Sequence, residues 1–207
     1  ITSKEGCQIA SVNVNGTPEE VENVNEFTTT VSDETTIDVT FVQIFTVTVD
    51  FDATLGKAEY DKDIEVAGGV VAFKKGEPTI FKKGESFYFI ATPEENHRVI
   101  EVEINGEAVK GLGENSKPYT SVKLDVEDTN YSIKVTFARN EYDVSVDYDK
   151  AKADVTLSST KVEHDGSIEI TIKPTDSNYF SDIIFNYVSL QEFDPNGDKV
   201  KIEKIAG

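Results

Sequence analysis

The sequence contains a single cysteine, no methionine and no tryptophan, and its 20 basic residues are outnumbered by 39 acidic ones. One cysteine excludes an intrachain disulfide and any zinc site built from several thiolates. Cys7 reads as a small, partly buried apolar residue. The stretch before it, Ile1-Thr2-Ser3-Lys4-Glu5-Gly6, is not the apolar run that precedes a lipid-modified cysteine. A net charge of −19 argues against a nucleic-acid partner, because phosphate recognition rests on supplied cations, and against docking on anionic membranes. Apolar windows of about eighteen residues are absent, so no direct membrane insertion is expected in this segment. The lack of even a first methionine implies a piece of a longer or processed polypeptide.

Catalytic and cofactor signatures are equally scarce. The two histidines, His97 and His164, each sit in or beside a turn and read as exposed loop residues. A Gly-x-Ser-x-Gly elbow is missing. Gly68-Gly69 and Gly111-Leu112-Gly113 lack the Lys-Ser/Thr end of a phosphate loop and any following helical period. The expectation is therefore no enzyme and no resident cofactor.

What the chain does have is self-similarity, the signal to look for first. Val12-Asn13-Val14-Asn15-Gly16 recurs as Val102-Glu103-Ile104-Asn105-Gly106, 90 residues on. Ile37-Asp38-Val39-Thr40-Phe41 recurs as Ile133-Lys134-Val135-Thr136-Phe137, 96 on. Phe45-Thr46-Val47-Thr48-Val49-Asp50-Phe51-Asp52 returns 97 on as Tyr142-Asp143-Val144-Ser145-Val146-Asp147-Tyr148-Asp149. The stretch from Gly84 to Pro93 parallels that from Gly166 to Pro174. Each matched stretch alternates apolar and polar residues and is rich in Val, Ile, Thr, Phe and Tyr, the pattern of half-buried antiparallel strands. Asn15-Gly16, Asn105-Gly106, Lys75-Gly76, Lys83-Gly84, Asp165-Gly166 and Asn196-Gly197 supply turns with residues that accept positive φ. The reading is all-β: tandem small antiparallel β-sandwich modules of Ig-like type, with β-grasp-like modules as the alternative. The copies frame a partial unit over 1–43, a complete unit over 44–138 with an insertion at 55–76, and a third unit over 141–207 that lacks a clear last strand.

The stretches Lys83-Gly84-Glu85-Ser86 through Pro93, Val99 through Val109 and Tyr119 through Phe137, with partial echoes at Asp165-Gly166-Ser167 and Phe27 through Phe41, resemble the divergent internalin-type B-repeat of bacterial surface proteins. The resemblance implies an extracellular location on the bacterial cell surface and a stalk or adhesive role, with no catalytic residue. Partners on that reading are a host or bacterial surface glycan or protein.

Two ligand chemistries are compatible with the residues. Calcium needs several oxygen donors on one turn, and Asp194, Asn196 and Asp198 occupy positions 1, 3 and 5 of Asp194-Pro195-Asn196-Gly197-Asp198; a plain hairpin turn explains the same residues. The acid pairs Asp50/Asp52 and Asp147/Asp149 recur at strand ends. Sugar binding favours an exposed aromatic platform, for which Tyr88, Tyr119 and Tyr187 are the candidates; alternation points Tyr88 away from Phe87 and Phe89. The framing of the copies also raises head-to-tail self-association by strand addition.

Overall fold

The computed structural model describes residues 1–63 and 69–175, together with the backbone of 184–185, 188–189 and 199–202. Among the described residues all regular structure is strand, and the chain divides into two compact bodies, Ile1–Ala138 and Arg139–Gly207.

The N-terminal body holds β1 (Cys7–Val14), β2 (Thr17–Glu19), β3 (Ile37–Asp50), β4 (Gly56–Asp61), β5 (Val71–Ala72), β6 (Pro78–Lys82), β7 (Ser86–Pro93), β8 (His97–Ile104), β9 (Glu107–Ala108), β10 (Tyr119–Thr120), β11 (Leu124–Asp125) and β12 (Tyr131–Arg139), the last running one residue past the boundary. The 14-residue β3 organises it. Its first half pairs antiparallel with β1, from Val14↔Ile37 to Cys7↔Gln43. Its second half pairs antiparallel with β6 and parallel with β12, from Val47↔Tyr131 to Asp50↔Lys134. One sheet therefore runs β2-β1-β3-β12-β8-β9 with β6 also on β3, and a second runs β10-β7-β4-β5 with β11 also on β7. The boundary expected between 43 and 44 falls inside β3. The β3–β12 pair departs from the expected antiparallel pattern, because the chain crosses from β11 back to the first sheet and arrives running in the direction of β3.

Both sheets turn their apolar faces into one core. Val47, Val49, Phe81, Val102 and Ile133 come from the first; Ala58, Phe87, Phe89 and Ala91 come from the second. Period-two alternation explains the choice, since one face of each strand is buried and the other is wetted. Gly56 is required here: a Cβ on it would land in the ring of Phe137. The insertion delivers Phe73, whose N–H donates to the Ala58 carbonyl at 2.9 Å. Its buried ring lies 4.9 Å from Tyr60 and 6.1 Å from Phe89 between centroids.

The C-terminal body holds β13 (Glu141–Asp143), β14 (Ala153–Leu157), β15 (Lys161–Glu163), β16 (Ile168–Pro174), β17 (Ile184–Phe185), β18 (Val188–Ser189) and β19 (Lys199–Ile202). β13 pairs with β15, β16 lies between β14 and β19, and β17 pairs with β18. Its pairings fall in the register of the N-terminal body. Phe45↔Phe81 corresponds to Tyr142↔Val162, and Gly56↔Pro93 to Ala153↔Pro174. In both cases the first partner moves by 97 positions and the second by 81; the difference of 16 lies between β4 and β6, so the insertion expected over 55–76 is drawn too wide, because β4 within it has its counterpart in β14. Loop bonds follow suit: Lys83 N–H donates to the Gln43 carbonyl at 2.8 Å, and His164 N–H to the Asn140 carbonyl at 2.7 Å.

Within the N-terminal body a second correspondence holds. Asn15-Gly16 and Asn105-Gly106 both adopt positive φ at both residues, the geometry that matches strand twist in a two-residue hairpin. Each Asn side chain then accepts from the neighbouring strand of the sheet, the Thr36 N–H just before β3 at 2.9 Å and the Ser132 N–H of β12 at 2.7 Å.

Two sequence expectations change. Residue identity aligns Gly84 with Gly166, but positive φ occurs at Gly84 and Asp165. Asp165 is thus the counterpart of Gly84, because Asp tolerates the left-handed region better than most side chains. The strand expected over 142–149 is restricted to Glu141–Asp143. Residues 144–147 correspond to 47–50, the part of β3 that is held by β12, and among the described residues they have no such partner strand.

Candidate functional site

Tyr88 sits on β7 between Phe87 and Phe89, which are fully buried. It therefore faces away from the core and is half-buried, opposite Asp61 on β4. Asp61 is covered: the chain at Gly69 passes over it so closely that an added Cβ would meet Oδ1 at 2.6 Å, and Oδ1 accepts the Asp63 N–H at 3.0 Å. The counterpart of Tyr88 in the C-terminal body is Glu169, so the aromatic is not repeated.

Tyr119 is opposite Ala91 on β7 and thus shares the inward face. Its ring packs 6.5 Å from that of Phe89, and burial pushes its hydroxyl pKa above the usual tyrosine value. The two tyrosines lie on opposite faces of one sheet and do not form a joint platform. Beyond Tyr119 the directions keep alternating but the polarity inverts, because Ser121 takes the next inward position. Its Oγ accepts Phe89 N–H at 2.9 Å and donates to the Val122 carbonyl at 2.7 Å, which leaves Val122 79% exposed. Nothing in Tyr119-Thr120-Ser121-Val122 announces that the serine is buried and the valine exposed.

A cavity of about 290 Å³ opens beside Tyr119, with Val99, Leu112 and Tyr119 as its apolar lining and Lys110, Glu114 and Lys117 among its charged groups. Glu114 and Lys117 are paired at 2.8 Å. The loop with Gly111 and Gly113, both at positive φ, forms one wall. The arrangement offers a ring face and hydrogen-bonding groups to a small polar molecule; it holds no nucleophile–base pair.

The recurring acids are used locally. Asp52 Oδ1 accepts Thr54 N–H at 2.9 Å, and Asp149 Oδ1 accepts Ala151 N–H at 3.0 Å. The backbone bond is the main reason that both carboxyls lie below the ordinary value of 3.8. This is the self-capping Asx turn. Asp50 lies 3.9 Å from Lys75. Among the described residues no three His, Cys, Asp or Glu side chains gather as a metal would need. The calcium candidates Asp194, Asn196 and Asp198, and Tyr187, lie outside the described residues. His97 Nδ1 is 2.8 Å from the Glu95 carbonyl. His164 is 3.2 Å from the Tyr142 hydroxyl through Nδ1 and 3.7 Å from Asp165 through Nε2.

Comparison of the chain with protein-family models, with curated proteins and with solved structures finds no match.

Proposed function

We propose that this chain is a non-enzymatic structural or adhesive segment of a bacterial cell-surface or secreted protein, built from tandem β-sandwich modules of Ig-like type. The observation that carries the reading is the shared register: pairs in one body map onto pairs in the other at fixed displacements of 97 and 81 positions. A module repeated with its hydrogen bonds in place is a spacer whose function is reach, since each unit of such an array contacts chiefly its neighbours. The charge of −19 suits that role, because like-charge repulsion keeps extended proteins soluble and apart. Duplicating residues 44–138 within the chain should lengthen its maximum dimension in small-angle X-ray scattering by a fixed step and leave the β-type circular dichroism unchanged. An unchanged maximum dimension would refute the spacer role.

A second reading, a glycan- or protein-binding module, is favoured by the cavity beside Tyr119. Binding on a glycan array that disappears in Tyr119→Ala, with calcium and chelator arms run in parallel, would promote it; silence on the array counts against it.

A further inference from the structure

The second half of β3 opens the stretch 44–138 and β12 closes it. The two lie side by side and parallel, with Val47, Thr48, Val49 and Asp50 opposite Tyr131, Ser132, Ile133 and Lys134. In a parallel pair the incoming end of one strand and the outgoing end of the other lie at opposite ends of the ladder. A pull that enters β3 at Ile37 and leaves β12 past Arg139 therefore draws the two strands lengthwise past each other, and every bond between them resists at once. An antiparallel opening and closing pair would present both pulled ends at one end of its ladder and part rung by rung.

Three features reinforce this pair. Thr46 N–H donates to Asn130 Oδ1 at 2.8 Å, which adds a rung at the end where β12 begins. Val47, Val49 and Ile133 are buried, so the core side of the ladder is sealed from the water that would replace a broken bond. The outer flanks are held as well. β6 pairs along the other edge of β3, from Ile44↔Lys82 to Thr48↔Pro78. On the far edge of β12, Asn105 N–H donates to the Ser132 carbonyl at 2.8 Å, and Ser132 N–H donates to Asn105 Oδ1 at 2.7 Å.

We propose that the β3–β12 pair is a mechanical latch through which the N-terminal body bears force applied along the chain, with Asn130 as its first rung. The inference rests on the stalk reading above and adds force-bearing to reach. Forced unfolding is governed by the rate of unfolding and not by equilibrium stability. One and the same fold is therefore strong when pulled along the latch and weak when pulled from one end of it.

Single-molecule force spectroscopy on the whole chain tests this, with Cys7 replaced by Ser and one handle at the C-terminus. In Glu34→Cys the second handle precedes β3, and the pull runs along the latch. In Ala53→Cys it follows β3, and both pulled ends lie at one end of the ladder. Both positions are exposed. The event that releases the N-terminal body is identified by its gain in length, at most about 3.6 Å per residue freed. It is expected to need a several-fold higher force in Glu34→Cys than in Ala53→Cys. Adding Asn130→Ala should lower the force in the first geometry and leave the second unchanged, whereas Asn130→Asp, which keeps the acceptor oxygen, should retain the force in both. Equal forces in the two geometries would overturn the latch, while the repeat reading keeps its own test by duplication. An equal drop in both geometries on Asn130→Ala would remove Asn130 from the latch. The comparison of geometries leaves the core untouched, so it decides even where Asn130→Ala fails to fold.

Discussion

The two bodies share a pairing register and differ in how they fill it. Where the N-terminal body has Phe45, Tyr60, Phe81, Phe87 and Phe89, the C-terminal body has Tyr142, Leu157, Val162, Ile168 and Ile170. In the first, rings touch in a continuous cluster: Phe81 stacks on Phe87 at 4.7 Å and Tyr131 meets Phe87 edge-on at 5.7 Å. In the second, among the described residues, Val162 and Ile168 form a buried cluster with Tyr142, Val144 and Leu157 half-buried against it. Register is evidently set by turns and backbone bonds, which both bodies keep. Core depth is set by ring volume, by Phe73 from the insertion and by the parallel β12, which belong to the N-terminal body.

The largest expected effect tests that difference directly. Phe87→Ala empties the centre of the ring cluster and should cost about 3–5 kcal/mol in the denaturant transition of the N-terminal body. Ile168→Ala, at the equivalent place, should cost less, about 2–3 kcal/mol, because an aliphatic side chain leaves a smaller gap than a ring. Equal losses would mean that the two cores are packed alike.

The next perturbation adds volume. Gly56→Ala drives a methyl into the Phe137 ring and should cost about 1–3 kcal/mol by overpacking. Ala153→Gly should cost only about 0.5–1 kcal/mol, the backbone-entropy difference. Thermal melts of the two variants should separate clearly, and a neutral Gly56→Ala would break the packing argument.

The smallest effect concerns what the bodies share. Asp52 and Asp149 have folded pKa values held below the ordinary 3.8, chiefly by a backbone N–H. A depressed carboxylate contributes stability that is present above its unfolded pKa and lost as pH falls through the folded value. Asp52→Ala and Asp149→Ala should thus be slightly destabilised at neutral pH, and the gap to the unmodified protein should narrow on acidification below the ordinary carboxylate pKa. A gap that widens instead would remove the Asx turns as the common element.

Much of the backbone was legible because it rests on local chemistry. Asn15-Gly16 and Asn105-Gly106 specify their hairpins within two residues, and strict alternation put Phe87 and Phe89 inside and Tyr88 outside. What escaped the sequence depends on distant partners. The clasp of Asn105 on Ser132 spans 27 positions, and the parallel approach of β12 to β3 is invisible in either strand alone. Tyr119 reads from the sequence as an exposed platform candidate, because a buried serine at 121 and an exposed valine at 122 invert the polarity pattern that would reveal the inward face. Residue identity points to Gly166 as the partner of Gly84, whereas the backbone requires only a positive φ and finds it at Asp165.

β3 runs unbroken from Ile37 to Asp50, roughly 45 Å of extended chain at about 3.3 Å per residue. No hinge separates the half clasped by β1 from the half clasped by β6 and β12, so a tensile load entering at one end is transmitted along the covalent backbone of a single rod. Yielding would require rows of interstrand bonds to slide together in shear, not to unzip one after another, which makes this strand the stiff member of the structure.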